Sequence, residues 1–140
     1  MLLKKIIKNL PQDIQNINIR GLSQDSRQIK KDYLFFAVKG KKFNGEKYIL
    51  DAASKGAKIV ICSHKCRIKT NKIQIIKVKN ISAVITQSCK IFFSKKPDNI
   101  IAVTGTNGKS SIAEFYHQLL SIQKFPVASI GTLGIKIKNR

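Results

Sequence analysis

Apolar and polar positions follow two rhythms along this chain, and the switches between them outline its elements. Tyr33-Leu-Phe-Phe-Ala-Val38 is a continuous apolar run, the pattern of a strand covered on both faces, and Gly40 ends it. Lys58-Ile-Val-Ile-Cys62 and Ile73-Gln-Ile-Ile-Lys-Val78 read as two further strands. Between the first two, Glu46 to Lys55 has helical spacing, and Gly56 just past it is a C-terminal stop signal. Ser82 to Ser94 predicts a second helix, with Ile81, Val84, Ile85, Ser88 and Phe92 along one side. Lys95-Lys-Pro97 stops it, because proline pushes the preceding residue out of the helical region. A strand is expected at Ile100 to Val103, then a helix with Ile112, Phe115, Tyr116, Leu119 and Leu120 at helical spacing, then a strand at Pro126 to Ile130. At the N-terminus, apolar pairs broken by lysines fit a first helix or a lead-in strand.

Strands alternating with helices predict an α/β fold of mostly parallel sheets covered by helices. The Lys95-Lys-Pro-Asp98 turn is the expected boundary between two domains, at 1–97 and 98–140. The first has an ordinary size for a small domain. No internal repeat or low-complexity tract interrupts the pattern.

Composition narrows the function classes. An apolar content of 43% suits a globular chain, and no apolar run reaches the roughly 20 residues of a membrane span. The first residues lack the h-region and cleavage site of a secretory signal, so a cytoplasmic protein with no membrane partner is expected. The formal net charge of +20 suggests nucleic acid. Yet the lysines are scattered along the whole chain, and the arginines are only Arg20, Arg27, Arg67 and Arg140. No specific nucleic-acid partner is expected, although such charge attracts polyanions and assists capture of anionic nucleotides. Three cysteines make no disulfide framework, and Cys62-Ser-His-Lys-Cys66 lacks the second pair of a zinc site. Cys62, at a strand end, and Cys89, on an apolar helix stripe, read as small buried hydrophobes.

The chemistry lies in Asn99-Ile-Ile-Ala-Val-Thr-Gly-Thr-Asn-Gly-Lys-Ser-Ser111. Gly105 and Gly108 allow a tight turn that brings backbone N–H groups against phosphate oxygens, and the following helix adds partial positive charge. Lys109 has the reach for the β- and γ-phosphates of a nucleotide, and the Ser110 hydroxyl suits Mg²⁺. Val103 stands where the general phosphate-loop pattern has its first glycine, so this is a shorter glycine arrangement. The seven acidic residues are Asp13, Asp25, Asp32, Glu46, Asp51, Asp98 and Glu114. None lies beyond the helix after the loop, where such enzymes carry an acid that helps hold Mg²⁺. The nucleotide domain therefore reads as incomplete.

Thr104-Gly-Thr-Asn-Gly-Lys-Ser-Ser111 resembles the phosphate loop of the Mur ligases, ATP-dependent amide-forming enzymes of peptidoglycan synthesis. Asp25-Ser-Arg27 is similar to their Asp-Ser-Arg signature, and Tyr33 to Gly40 followed by Asn44-Gly45 to their strand and glycine loop. The resemblance covers roughly residues 20 to 138. Thr-Asn between the glycines and Ser129-Ile-Gly-Thr-Leu-Gly134 look most like the branch that extends UDP-N-acetylmuramoyl-L-alanyl-D-glutamate by a diamino acid, meso-diaminopimelate or L-lysine. Ser110-Ser111 for the usual Thr-Thr, Asn44 for Asp and Glu46 for His depart from the family pattern.

The resemblance implies a small N-terminal UDP-binding α/β domain followed by the start of a phosphate-loop, mostly parallel-sheet central ATPase domain. It implies ATP and Mg²⁺ as cofactors, ATP contacts from Gly105, Thr106, Asn107, Gly108, Lys109, Ser110 and Ser111, a catalytic Lys109, and Ser110 on the metal. Gln24, Ser26, Lys41, Lys42 and Phe43 would contact the uridine diphosphate. The implied reaction is phosphorylation of the dipeptide's terminal carboxylate and attack of the incoming amine on the acyl phosphate. It serves cell-wall biogenesis, cell shape and cell division. The family's metal-binding acid, carbamylated lysine and amino-acid-binding domain have no counterpart here, so the isolated chain is expected to be inactive. The alternatives are another Mur ligase, a stand-alone UDP-sugar-binding module with a vestigial phosphate loop, and, from another class, a basic nucleic-acid-binding protein.

Overall fold

The computed structural model of the chain describes residues 1–8, 10–40 and 43–137. Its elements are α1 (Leu3–Ile6), β1 (Gly21–Ser23), β2 (Tyr33–Ala37), α2 (Ile49–Ser54), β3 (Ala57–Ser63), β4 (Gln74–Val78), α3 (Ile81–Phe92), α4 (Lys109–Ile122), β5 (Ala128–Gly131) and β6 (Gly134–Ile137). They fall into two units, Met1–Lys96 and Pro97–Arg140.

In the first unit β1 to β4 form a four-stranded sheet in the order β1-β2-β3-β4, with every neighbouring pair parallel. Alternation assigns the inner strands to two cores. Leu34, Phe36, Ile59 and Ile61 point to one face, where Leu3, Ile6, Ile14 and Ile19 meet Ile81, Val84, Ile85 and Phe92 of α3. Phe35, Ala37, Val60 and Cys62 point to the other, against Ile29 and, from α2, Ile49 and Ala52. Both faces of β2 and β3 are covered, which is why their sequences run apolar without a break.

Local chemistry sets the element ends. The Asn80 side chain caps α3 by accepting from the Ala83 N–H at 3.0 Å. Gly56, at φ +95°, turns the chain out of α2 in a conformation that side chains resist. The helix expected over Glu46 to Lys55 is a 3-10 turn, Gly45–Tyr48, leading into the shorter α2. Asn44 opens that turn by accepting from the Glu46 N–H at 3.1 Å.

In the second unit the glycine loop runs into α4, and β5 and β6 form an antiparallel hairpin. The Lys136 ammonium ties the hairpin to α4 through Glu114 at 2.6 Å. Two expectations change here. Ile100 to Val103 is not a strand, and Ile100 and Ile101 are 79% and 60% exposed, not buried. A strand exists only when paired, and among the described residues no neighbour offers this segment a ladder. The only sheet in this unit, among the described residues, is antiparallel because a two-residue turn at Thr132-Leu133 returns the chain directly.

Candidate functional site

In a parallel sheet every strand ends at the same edge, and the loops beyond those ends are where ligands bind. Here that edge is formed by Ser23, Ala37, Ser63 and Val78. Gln24 and Ser26 follow β1, and Phe43 follows β2, so these candidates share it. Lys41 and Lys42 lie outside the described residues. Gln24 is exposed and Phe43 is 77% exposed, an aromatic face free to stack on a planar ring.

Ser26 sits differently. Its side chain is buried, and its hydroxyl donates to the Asp51 carboxylate on α2. Asp51 is held below the ordinary carboxylate range, first by the Lys55 ammonium at 2.9 Å and then by this hydroxyl. Ser26 therefore ties the turn after β1 to α2, and its oxygen keeps lone pairs only to accept.

Asp25 and Arg27 form a closed pair around it. The Asp25 carboxylate accepts from the Arg27 backbone N–H at 2.9 Å and from Nη2 at 2.7 Å. The guanidinium first, and the backbone N–H second, hold the Asp25 pKa at about 2. Asp-Ser-Arg is thus a local hydrogen-bonded turn, with Arg27 exposed at its tip.

After β2 the chain doubles back tightly. Gly40 N–H donates to the Phe43 carbonyl and Gly45 N–H to the Val38 carbonyl, both at 2.7 Å. A Cβ on Gly45 would lie 2.7 Å from the Val38 oxygen, so only glycine allows this approach. The same edge carries a cavity of about 470 Å³ lined by Lys39, Asn44, Glu46, Lys47, Lys65, Arg67 and Ile68. No motif in the sequence marks its basic residues. Their one signal is position, in loops that follow parallel strands.

In the second unit Gly105 (φ +146°) and Gly108 (φ +75°) supply the positive dihedrals the loop needs, and Gly108 starts α4. Thr106, Asn107, Lys109, Ser110 and Ser111 are all exposed around it. The Lys109 ammonium folds back onto the loop, donating to the carbonyl oxygens of Gly105 and Thr106. A cation is thereby held at the mouth of a turn whose helix begins with unbonded N–H groups, the arrangement of an anion site. Ser110 offers a hard oxygen suited to Mg²⁺. Glu114, one turn further, is committed to Lys136 and then to Gln118, which together lower its pKa. Among the described residues no cluster of three His, Cys, Asp or Glu is built to hold a metal.

Cys62 and Cys66 are buried in the second core. Burial first, then a hydrogen bond with Cys66, pushes the Cys62 thiol up to about 12. Both behave as the small hydrophobes expected for Cys62 from its strand position. Among the described residues no helix is long and apolar enough to cross a membrane.

Residues 18–121 match the family described as Mur ligase family, catalytic domain. The chain is 44% identical over 129 residues to UDP-N-acetylmuramoyl-L-alanyl-D-glutamate--2,6-diaminopimelate ligase of Rickettsia rickettsii, covering 92% of this chain and 26% of the relative. A relative of the same name, numbered 2, from Clostridium acetobutylicum is 32% identical across all of this chain and 30% of its own length. The chain thus spans about a quarter of the length of the curated relatives it matches. Among solved structures, one of a UDP-N-acetylmuramoyl-L-alanyl-D-glutamate--2,6-diaminopimelate ligase superposes with a TM-score of 0.72 at 26% identity, covering 100% of this chain and 29% of that one. The MurF ligase of Thermotoga maritima in complex with ADP gives 0.59 at 26% identity, covering 74% of this chain and 24% of that one.

Proposed function

Because the chain belongs to the Mur ligase family, we propose that it is the substrate-anchoring and phosphate-loop portion of an ATP-dependent ligase that adds 2,6-diaminopimelate to UDP-N-acetylmuramoyl-L-alanyl-D-glutamate. Residues 1–97 form its UDP-substrate-binding domain and residues 98–140 the beginning of its ATP-binding domain. What carries this reading is the glycine turn into α4, with its lysine poised over the loop, in a chain 44% identical to a diaminopimelate ligase. The same similarity favours diaminopimelate over L-lysine.

In this reading the N–H groups from Gly105 to Lys109 cradle the β-phosphate, and Lys109 leaves its two carbonyls to neutralise charge on the transferred phosphoryl. Ser110 would hold Mg²⁺ through its hydroxyl oxygen. Such an ion would supply charge that offsets the phosphates. Gln24 and Phe43 hold the uridine part together with Lys41 and Lys42, and Ser26 acts as an acceptor while anchoring the turn. The reaction belongs to peptidoglycan precursor synthesis in the cytoplasm, and so to cell-wall growth, shape and division. In this reading ligation draws on the rest of the length of the relatives, of which the chain spans about a quarter.

The test is a chimera in which this chain replaces the matching quarter of the Rickettsia rickettsii relative. Diaminopimelate-dependent ADP release that disappears with Lys109→Ala supports the reading. A folded chimera that binds neither ATP nor the UDP-dipeptide overturns it.

A further inference from the structure

Two cysteines of the first unit take no part in the proposed function. Cys62, next to last in β3, is fully buried, and Cys66, in the loop that follows, is 2% exposed. Both belong to the core on the α2 side of the sheet, and their thiols are in hydrogen-bond contact. Backbone contacts hold them face to face. The Cys66 N–H donates to the Ser63 carbonyl at 2.9 Å, closing a turn over Ser63-His64-Lys65-Cys66. The His64 N–H donates to the Val78 carbonyl at 2.9 Å and the Lys77 ammonium to the Cys66 carbonyl at 2.8 Å, so β4 grips that turn at two points. The chain between the thiols is already folded back, and a bond needs the sulfurs to close from contact to about 2.05 Å. Cys89 is no rival within the molecule, because it lies on α3, which packs against the opposite face of the sheet.

The two sulfurs differ in access. Cys62 is fixed in a strand paired on both sides, opposite Ala37 and Lys77. Cys66 lies in irregular backbone, which opens at lower free energy than a paired strand. An opening of the loop therefore brings Cys66 to solvent first, with Cys62 waiting behind it.

We propose that Cys62 and Cys66 are a peroxide-sensitive modification site, converted to an intramolecular disulfide that clamps the start of the β3–β4 loop to the end of β3. The Cys66 thiolate attacks hydrogen peroxide: an S–O bond forms, the O–O bond breaks, and the departing hydroxide takes up the thiol proton as water. The Cys62 sulfur then attacks the sulfur of the Cys66 sulfenic acid. An S–S bond forms, the S–O bond breaks, and the hydroxyl leaves with the Cys62 proton as a second water. The two thiols together lose two electrons, and the peroxide is reduced to two waters. A dithiol reverses the change by exchange.

Peptide mapping of the folded 140-residue protein, treated with hydrogen peroxide and then alkylated, tests the site. Trypsin cuts after Lys58, Lys65 and Arg67, so the disulfide joins residues 59–65 to the dipeptide 66–67. The expected product is that joined pair, two hydrogens lighter than its separate peptides and released by dithiothreitol, with Cys89 outside it. Cys89→Ser should leave its yield unchanged, and Cys66→Ser should abolish it. Brief trypsin treatment of the native protein reads the clamp: cleavage after Arg67 should slow at least about threefold on oxidation and recover with dithiothreitol. Thiols left free, Cys66 carried to sulfinic acid with no joined pair, a pair containing Cys89, or a pair formed only after urea has unfolded the chain would each overturn the site. A joined pair with unchanged cleavage after Arg67 overturns the clamp and leaves the modification site standing.

Discussion

Gly45→Ala probes the loop of the proposed substrate anchor. The new Cβ would stand 2.7 Å from the Val38 oxygen and 2.9 Å from its nitrogen, where ordinary contact begins at 3.4 Å. Both atoms are backbone at the end of β2, so no side chain can swing aside, and the segments must part by roughly 0.7 Å. That breaks the 2.7 Å hydrogen bond from the Gly45 N–H to the Val38 carbonyl, worth about 1 kcal/mol. Overpacking a tight site costs about 1–3 kcal/mol more, giving a loss of about 2–4 kcal/mol. The same shift moves Phe43 and Asn44, so UDP affinity should fall with stability. Urea unfolding of the 140-residue protein reads the first effect and calorimetry the second. Gly21→Ala is the comparison: the three atoms nearest its Cβ would belong to the Tyr33 ring, from 2.3 Å, and a ring can turn away, so its loss should be smaller. A Gly45→Ala protein within about 0.5 kcal/mol of the parent, with unchanged UDP affinity, would refute the reasoning.

Three further outcomes can be checked. Lys109→Ala should weaken ATP binding at least about tenfold while changing unfolding free energy by less than about 0.5 kcal/mol, since the side chain is exposed; unchanged ATP affinity would remove the lysine from the site. The Asp25 carboxyl, held at about 2, should titrate well below 3.8 in an NMR pH series and return toward 3.8 in Arg27→Ala. Because the folded value is depressed, this pairing contributes stability above about pH 3.8 that is lost as pH falls toward 2. Cys62, buried and pushed up to about 12, should resist iodoacetamide at pH 8 until denaturant is added, as read by mass spectrometry; labelling at the unfolded rate would contradict its place in the core.

The sheet was legible because its strands are buried on both faces. Tyr33 to Val38 and Lys58 to Cys62 carry no polar interruption except Lys58 at the edge of the run, and they form β2 and β3. The stripe Ile81, Val84, Ile85, Ser88 and Phe92 was equally clear, since α3 packs that side on the sheet. The three residues of β1 are too few to show a period, and β6 is defined by pairing across a hairpin and not by composition. Ile100 to Val103 shows the converse, an apolar run with strand composition and no strand to pair with. In the candidate sites the glycine loop was readable because positive dihedrals demand glycine, and Gly105 and Gly108 have them. The commitment of Ser26 to Asp51, and the convergence of Lys65 and Arg67 with Lys39 and Lys47, join residues distant in sequence. Only the folded sheet edge brings them together.

Titration of the 140-residue protein with UDP-N-acetylmuramoyl-L-alanyl-D-glutamate tests the central claim most directly. The account predicts saturable one-site binding that UDP competes away and that Lys109→Ala leaves intact, because the substrate anchor lies in the first unit. A folded protein that shows no binding, or binding that UDP cannot displace, would contradict it.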